Sequence, residues 1–229
     1  MSTKRVSVLI PAYNEEDKIG DTVGAAFTIP FVHEVVVVDD ASTDNTAGIA
    51  ETAGAKVCAL RKNLGKGGAL NHGALVITGD IVLLLDGDLG KSAIEARLLL
   101  QPVLDGEADM TIASFPPPVI KGGFGLVKGL ARKGIKFFSG YEMKSPLSGQ
   151  RAMKRAVLEA MLPFSSGFGV EVGATLRAAM KGYSLLEVPV QMTHAETGRD
   201  LRGFVHRGSQ FADVAVVLAL CALERLRSR

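Results

Sequence analysis

The chain has 229 residues, of which 47% are hydrophobic, 22% are charged and 6% are aromatic, and its formal net charge at pH 7 is +2. This composition excludes a disordered tail, a collagen-like repeat and a disulfide scaffold, and the near-neutral balance argues against nucleic-acid binding. The length suits one domain with a sizeable core. Two cysteines, Cys58 and Cys221, favour a reducing compartment over a disulfide framework.

The apolar runs in the sequence are short. The run at 214–223 lies between Asp213 and Glu224 and falls well short of the ~20 residues that a membrane-spanning helix needs. The apolar stretch near the N-terminus is too short for a secretory signal. We therefore expect a cytoplasmic protein whose contact with a membrane, if any, is peripheral. The apolar C-terminal run also makes a homodimer reasonable.

Strand and helix signals alternate through the first hundred residues. Apolar, β-branched runs predict strands at 6–10, 34–38, 55–60 and 81–85. Helices are expected between them, at 15–27 with Asn14 as the cap, from Ser42 or Thr43 to about residue 53, and at 67–75. This alternation predicts an α/β fold with a mainly parallel sheet flanked by helices.

The second half of the chain has a different character. A strand at 108–114 is followed by three prolines, and residues 121–136 contain basic but no acidic side chains. A helix at 169–180 and a strand at 184–190 precede a polar, glycine-containing loop at 194–207. The basic patch suits an acceptor phosphate or an anionic lipid surface, although a solvated basic helix explains it equally well.

Acidic residues follow the predicted strands where ligands bind in a parallel sheet, at the carboxyl ends. Asp86 and Asp88 flank Gly87 directly after an apolar strand, where two carboxylates are costly without positive charge. A divalent cation such as Mg²⁺ or Mn²⁺ is their natural partner, since hard ions take carboxylate and phosphate oxygens. An ordinary acidic turn is the alternative interpretation.

Three further features near the same rim suit a nucleotide. Asp40 can accept hydrogen bonds from a ribose or a base, Tyr13 can cover a flat base, and Glu15 can bind a ribose hydroxyl. The glycine-rich turn around Lys66 suits an anion, because glycines let backbone amides approach closely. Taken singly, each feature is also explained as a turn, a capped helix start or a flexible loop.

The combination is more specific than its parts, because four motifs occur in one order: Pro11-Ala12-Tyr13-Asn14-Glu15-Glu16, Val37-Val38-Asp39-Asp40-Ala41-Ser42-Thr43-Asp44, Gly65-Lys66-Gly67 and Asp86-Gly87-Asp88. This series resembles the GT-A fold glycosyltransferases of the family-2 type. The resemblance implies a Rossmann-like, mainly parallel sheet flanked by helices, with a smaller acceptor-side region. It also implies a nucleoside-diphosphate sugar of the UDP-glucose or GDP-mannose type as the donor, and Mg²⁺ or Mn²⁺ as the cofactor.

The resemblance also divides the chain and assigns roles. Residues 1–115 become the nucleotide-sugar-binding half, and residues 116–229 become the acceptor-binding half with the C-terminal helix, within a single GT-A domain. Asp88 becomes the metal ligand in the D-x-D motif. The residues expected at the nucleotide, its phosphates or the sugar are Pro11, Ala12, Tyr13, Glu15, Asp40, Lys66, Asp86 and Gly87.

Later motifs narrow the resemblance to the glucosyl-3-phosphoglycerate synthases, the related mannosyl enzymes and the polyprenyl-phosphate sugar transferases. These motifs are the segments 148–151 and 167–171. In the first group a glutamate at the Glu171 position lies at the donor sugar, and a histidine that corresponds to His194 completes the metal site. A carboxylate at a helix start and a lone loop histidine are the alternatives. Arg199 and Arg202 lie in a segment that can fold over the donor pyrophosphate, unless it is a solvated loop.

These residues together predict a metal-dependent glycosyltransferase. It would move a hexose from a nucleoside-diphosphate sugar to a small phosphorylated acceptor such as 3-phosphoglycerate, with Glu171 and Asp88 as the catalytic residues. A polyprenyl-phosphate sugar transferase at the membrane surface, a sugar nucleotidyltransferase and a non-catalytic nucleotide-sugar binder are the alternatives. The donor's base and sugar, the acceptor and the stereochemistry stay open.

Overall fold

The computed structural model describes residues 4–116, 126–165, 167–192 and 212–220 of the chain. Its strands are β1 (Val6–Ala12), β2 (Val32–Asp39), β3 (Lys56–Ala59), β4 (Ile81–Leu84), β5 (Met110–Ser114), β6 (Arg151–Lys154) and β7 (Leu185–Pro189). Its α-helices are α1 (Ile19–Phe27), α2 (Thr46–Thr52), α3 (Gly65–Gly73), α4 (Arg97–Asp105), α5 (Leu126–Ser139), α6 (Arg155–Met161), α7 (Val170–Met180) and α8 (212–220). Two 3₁₀ segments, Gly87–Ala96 and Gly167–Gly169, precede α4 and α7.

The strands form one seven-stranded sheet in the order β3-β2-β1-β4-β6-β5-β7. Strand β1 pairs in parallel with β2 and β4, β2 pairs in parallel with β3, and β5 pairs in parallel with β7. Strand β6 alone runs antiparallel, between β4 and β5. The carboxyl ends of the parallel strands therefore meet at one edge of the sheet, which is where ligands bind in folds of this kind.

Both faces of the sheet are covered, which explains why the central strands are apolar along their whole length. In β2, Val36 and Val38 pack into a core with α3, α5, α6, α7 and α8, whereas Val35 and Val37 pack into a second core with α1, α2 and α4. Adjacent residues of a strand point to opposite faces, so a strand with helices on both sides needs no polar alternation.

The predicted α/β fold with a mainly parallel sheet is confirmed, and two local interpretations are wrong. Asn14 does not cap α1: its φ of 55° is left-handed, and its Oδ1 accepts a hydrogen bond from the Thr43 amide at 2.8 Å. Helix α2 begins at Thr46 rather than at Ser42 or Thr43, because the Ser42 hydroxyl accepts a hydrogen bond from the Asn14 amide instead of starting a helix.

The segment 148–151 ends in β6, which begins at Arg151 and separates the rest of the segment from α6. Strand β6 has four residues, two of them basic, so it lacks the apolar run by which β1, β2 and β4 were recognised. Its position is set by pairing with β4 and β5, which a local sequence pattern does not encode.

Every helix in the described ranges, from α1 through α8, is too short or too polar to cross a bilayer.

Candidate active site

A cleft of about 300 Å³ lies at the carboxyl ends of β1, β2 and β4. Its lining residues were all singled out from the sequence except Ala69; they are Pro11, Ala12, Tyr13, Glu15, Asp40, Lys66, Ala69, Asp86, Gly87 and Asp88. The four motifs of the first half therefore converge on one cavity, although up to three helix–strand units separate them along the chain. Four of these side chains are carboxylates, and one is a cation.

Hydrogen bonds join the loop after β1 to the loop after β2. The Asn14 amide donates to Ser42 Oγ at 2.9 Å, and the Glu15 amide donates to Thr46 Oγ1 at 2.8 Å. The Thr43 amide donates in return to Asn14 Oδ1. These polar motif residues hold the two loops together, and Tyr13 and Glu15 are left to line the cleft.

Asp40 is buried at the base of the cleft. Its Oδ1 accepts a hydrogen bond from the Leu64 amide at 2.7 Å, which ties the end of β2 to the turn before α3. This bond fixes the side chain of Asp40 and the start of the helix that carries Lys66. Asp40 therefore combines a structural role with a place in the lining of the cleft.

The Asp86-Gly87-Asp88 turn is fixed by a residue that the sequence analysis missed. The buried Thr22 hydroxyl of α1 donates to the Gly87 carbonyl and accepts from the Gly90 amide, both at 2.8 Å. A side chain at Gly87 would come within 3.3 Å of Glu15 Cγ, so the turn packs closely against the first loop. The signal for Thr22 was present, since it is the one polar residue among the buried residues of α1, which are otherwise Ile19, Val23 and Ala26.

Lys66 joins two carboxylates from distant parts of the chain. Its Nζ lies 2.6 Å from Asp86 Oδ1 and 2.9 Å from Glu171 Oε1. Burial alone would lower the pKa of Lys66, but the two carboxylates outweigh this effect and raise its pKa above the ordinary value. Lys66 is therefore charged, and it brings the predicted catalytic Glu171 next to the D-x-D turn.

The cleft carries an excess of negative charge. Burial raises the pKa of Glu15, and the neighbouring Asp88 and Asp86 carboxylates raise it further. Like charges at this spacing disfavour ionisation unless a cation joins them, and carboxylate oxygens are the ligands that Mg²⁺ and Mn²⁺ prefer. The donor set therefore fits a divalent cation.

The structure does not bring together a complete set of metal ligands within the described ranges, where no three His, Cys, Asp or Glu side chains are grouped to hold an ion. The predicted ligand His194 lies outside the described residues, as do Arg199 and Arg202. The three assignments therefore stay predictions.

Lys66, Asp86 and Glu171 together form what we call the Lys66 site. The segment 148–151 packs against this site. Gln150 Nε2 donates to Asp86 Oδ2 at 2.9 Å. A Cβ at Gly149 would overlap Lys66 Nζ and lie 3.0 Å from Asp86 Oδ2, so any larger residue there would displace the ends of these two side chains. The buried Arg151 donates from Nε to the Ser148 carbonyl and from Nη2 to the Glu171 carbonyl. The sequence pattern alone indicates no role for the individual residues of this segment.

A larger cavity, of about 1110 Å³, opens at the carboxyl ends of β5 and β7. Its polar lining includes three cations, Lys128 and Arg132 from α5 and Lys144 from the following loop, against the single carboxylate of Glu95. The apolar lining consists of Leu98, Phe115, Pro116, Pro146, Leu147, Pro189, Val190 and Met192. Ser148 lines this cavity as well, so the segment 148–151 separates it from the Lys66 site.

Comparison with known proteins connects these features to a family. Residues 7–162 match the family model described as glycosyl transferase family 2. Glycosyltransferase AglJ of Haloferax volcanii is 30% identical over 199 residues, which cover 85% of this chain and 65% of that protein. Glucosyl-3-phosphoglycerate synthase of Mycobacterium tuberculosis is 32% identical over 193 residues, which cover 74% of this chain and 59% of that protein. The chain thus spans less than two thirds of the length of these two curated relatives.

An uncharacterized protein of Methanocaldococcus jannaschii is closer in length: it is 31% identical over 202 residues, which cover 83% of this chain and 82% of that protein. Among solved structures, glucosyl-3-phosphoglycerate synthase from Mycobacterium tuberculosis in complex with Mg²⁺ and UDP superposes with a TM-score of 0.79 at 27% identity, covering 95% of this chain and 79% of that one. The same enzyme with Mn²⁺, UDP and glucosyl-3-phosphoglycerate gives a TM-score of 0.75. The chain has the GT-A fold and belongs to glycosyl transferase family 2.

Proposed function

We propose that the protein is a metal-dependent glycosyltransferase that moves a hexose from a nucleoside-diphosphate sugar to a small phosphorylated acceptor such as 3-phosphoglycerate. The observation that carries this proposal is the Lys66 site, which joins the D-x-D turn to Glu171 beside a carboxylate-lined cleft. Membership of the family and the likeness to glucosyl-3-phosphoglycerate synthase support it.

The donor occupies the smaller cleft, in the half of the chain formed by residues 1–115. The nucleoside lies against Pro11, Ala12 and Tyr13, with Glu15 at the ribose and Asp40 at the base. Lys66 then faces the phosphates, and Asp86 and Gly87 lie beside the sugar or ribose. Arg199 and Arg202, which the sequence assigns to a loop over the pyrophosphate, add positive charge to the same end of the donor.

Asp88 and His194 hold the divalent cation in this proposal. Asp86 is bonded to Lys66 and Gln150, and the resemblance to the D-x-D motif assigns the metal to Asp88, which lines the same cleft. When bound, the cation acts as a Lewis acid that offsets charge on the departing diphosphate. The Mg²⁺ and Mn²⁺ complexes of the Mycobacterium tuberculosis enzyme support a divalent cation of this kind as the cofactor.

The reaction breaks the bond between the anomeric carbon and a diphosphate oxygen, and it forms a bond from that carbon to an acceptor oxygen. The electron pair of the broken bond stays on the diphosphate, next to Lys66, and the acceptor hydroxyl gives up its proton. Glu171 is the candidate carboxylate at the sugar. In an inverting enzyme it takes that proton, and in a retaining one it stabilises the positive sugar while the proton passes to the departing diphosphate. Its contact with Lys66 holds it at the rim before the donor arrives.

The acceptor occupies the larger cavity, in the half formed by residues 116–229. Lys128, Arg132 and Lys144 supply positive charge to a phosphate or carboxylate there. The segment 148–151 connects this cavity to the Lys66 site, so an acceptor held by the cations is brought close to the sugar. Crystal complexes of the Mycobacterium tuberculosis enzyme with phosphoglyceric acid support an acceptor of this class.

A polyprenyl phosphate is the second candidate acceptor, favoured by the outward faces of two helices. On α5, Lys133 and Lys136 are exposed beside Phe137, which is 76% exposed, and on the neighbouring α8 Val216 and Leu220 are exposed. A basic and apolar surface of this kind suits peripheral contact with an anionic membrane.

The same apolar residues of α8 suit a homodimer, which sedimentation analysis tests.

A two-step experiment tests the donor and the acceptor separately. Thermal-shift measurements with UDP- and GDP-sugars, with and without Mn²⁺, identify the donor, and stabilisation that depends on the metal is expected. Mass spectrometry then compares transfer to 3-phosphoglycerate with transfer to a polyprenyl phosphate in anionic vesicles.

Each outcome of this experiment has a separate meaning. Transfer to the lipid together with flotation on the vesicles would replace the first acceptor by the second. Release of UTP from UDP-glucose and pyrophosphate would identify a nucleotidyltransferase, and nucleotide binding without turnover would leave only a sugar-nucleotide binder.

A further inference from the structure

Arg151 is a buried arginine with an unusual set of partners. Its side chain is 2% exposed, and its guanidinium donates to two main-chain carbonyls, those of Ser148 at 3.1 Å and Glu171 at 2.9 Å. Its Nη1, together with Ser148 Oγ and Gln150 Oε1, is buried with no hydrogen-bond partner in the described ranges. Burial of a guanidinium in such surroundings costs stability, so a role in the fold alone explains Arg151 poorly.

The two carbonyls belong to opposite walls of the Lys66 site. One is in the segment 148–151, whose Gly149 backbone lies directly against Lys66 and Asp86. The other belongs to Glu171 itself, in the first turn of α7, and the Glu171 carboxylate is 2.9 Å from Lys66. Arg151 therefore sets the separation of the walls between which Lys66 is held, without reaching the cleft itself.

The charge of Arg151 also faces this site. Burial lowers its pKa to about 10, against the opposing effects of the Glu171 and Asp86 carboxylates, so the guanidinium is charged at neutral pH. When Lys66 turns to a donor diphosphate, Asp86 and Glu171 lose the cation between them. A fixed positive charge behind both carboxylates then limits their mutual repulsion, which would otherwise move Glu171 away from the sugar.

We propose that Arg151 is a positioning residue for sugar transfer: its buried guanidinium holds the segment 148–151 and the first turn of α7 at the separation that the Lys66–Glu171 contact requires. This inference rests on the proposed function and deepens it. Because Arg151 acts through Glu171, its loss should slow the transfer step and leave nucleotide binding nearly intact.

Arg155 provides a matched control. It is also an arginine whose guanidinium donates to two main-chain carbonyls, those of Gly79 and Ile77, both at 2.8 Å. Those carbonyls precede β4, at the end of that strand opposite the cleft. Replacing either arginine by methionine removes the same number of hydrogen bonds to carbonyls, so a purely structural effect should be similar in the two variants.

The experiment compares Arg151→Met, Arg151→Lys and Arg155→Met with the wild type. Measurements are the kcat and KM with UDP-glucose or GDP-mannose, the Kd of UDP or GDP by calorimetry, and the Tm. We expect Arg151→Met to lower kcat by about 100-fold, as small misplacements at a reacting centre do, with the nucleotide Kd changed less than about 3-fold. Arg151→Lys should recover part of the lost kcat, and Arg155→Met should lower the Tm with kcat near wild type.

The inference is overturned if Arg151→Met loses no more kcat than Arg155→Met, or if its nucleotide Kd weakens in parallel with kcat. Should Arg151→Met fail to fold, Arg151→Lys decides alone: wild-type kcat in that variant contradicts the proposed role, and a reduced kcat at unchanged Kd supports it. A wild type that turns over neither donor overturns the proposed function, and the role of Arg151 falls with it.

Discussion

The two cavities at the rim of the sheet carry opposite charge. The smaller one, beside β1, β2 and β4, is lined by four carboxylates and Lys66, whereas the larger one, beside β5 and β7, is lined by three cations and Glu95. Both accommodate anionic groups in the proposed reaction, yet only the larger cavity has the charge to bind one directly. In the proposed reaction, the donor side therefore needs a divalent cation before it can take a diphosphate, and the acceptor side does not.

The strongest test of this contrast removes Asp88, the proposed metal ligand. Asp88→Ala should abolish metal-dependent transfer, with a loss on the order of 1,000-fold in kcat/KM, because the diphosphate would leave without its Lewis acid. Steady-state assays over a series of Mn²⁺ concentrations measure the loss. Asp105→Ala, at the exposed end of α4, is the control and should be unaffected. Activity close to wild type in Asp88→Ala with added Mn²⁺ would refute the metal assignment.

The next largest effect is expected at Glu171, where the two halves of the molecule meet. Glu171→Gln keeps the shape of the side chain and its reach to Lys66 but removes the negative charge, so kcat should fall by about 100-fold while the nucleotide Kd is nearly unchanged. Kinetics and calorimetry on the same sample separate the two quantities. Glu159→Gln, on the exposed face of α6, is the control. An equal loss in kcat and in affinity would reassign Glu171 from chemistry to donor binding.

The residues that line the smaller cavity could be predicted almost completely from the sequence, although their binding roles stay predictions. The cleft residues follow apolar, β-branched strands, and the topology of parallel sheets brings the ends of such strands together. Thr22 and Asn14 are the exceptions, because their roles depend on hydrogen bonds between loops. Asparagine is common both at helix caps and in loops whose side chains hydrogen-bond to a neighbouring loop. The role of Asn14 could therefore not be assigned from the residues next to it in the sequence.

The wall of the Lys66 site that comes from β6 and the segment 148–151 was predicted less well, for a physical reason. Strand β6 is short, antiparallel and basic, and it is held in place by its neighbours β4 and β5 rather than by its own pattern. The roles of Gly149 and Arg151 follow from that placement. A glycine that must let Lys66 approach and an arginine that donates to carbonyls are recognisable only when the packed partners are known.

The acceptor side of the comparison is tested at Arg132. Arg132→Gln should raise the KM for the phosphorylated acceptor by about 10-fold, which corresponds to the loss of one charge-assisted hydrogen bond, and should leave the donor Kd unchanged. Lys133→Gln removes the same charge from the next residue of α5, which does not line the cavity. Initial rates at varied acceptor concentration measure the KM of both variants. Equal increases in KM would mean that the positive charge of α5 attracts the acceptor at long range and that Arg132 makes no specific contact with it.

The smallest expected effect concerns the excess of carboxylates on the donor side. Because burial and the charges of Asp88 and Asp86 raise the pKa of Glu15, the folded protein holds this proton more tightly than the unfolded chain does. Ionised Glu15 therefore destabilises the fold, and this cost is absent in acid and grows as the pH rises through the raised pKa. Glu15→Gln should raise the Tm at about pH 7.5 by no more than about 2 °C and leave it unchanged at about pH 3.5.

Differential scanning fluorimetry at the two pH values measures this difference, with Glu51→Gln on the exposed face of α2 as the control. Mn²⁺ provides a second comparison, because a bound cation relieves the repulsion that the substitution removes. The Tm gap between Glu15→Gln and the wild type should therefore narrow when Mn²⁺ is added at about pH 7.5. A lower Tm for Glu15→Gln at that pH would mean that Glu15 stabilises the cleft, and the contrast between an acid-rich donor side and a basic acceptor side would then not describe the energetics of the free protein.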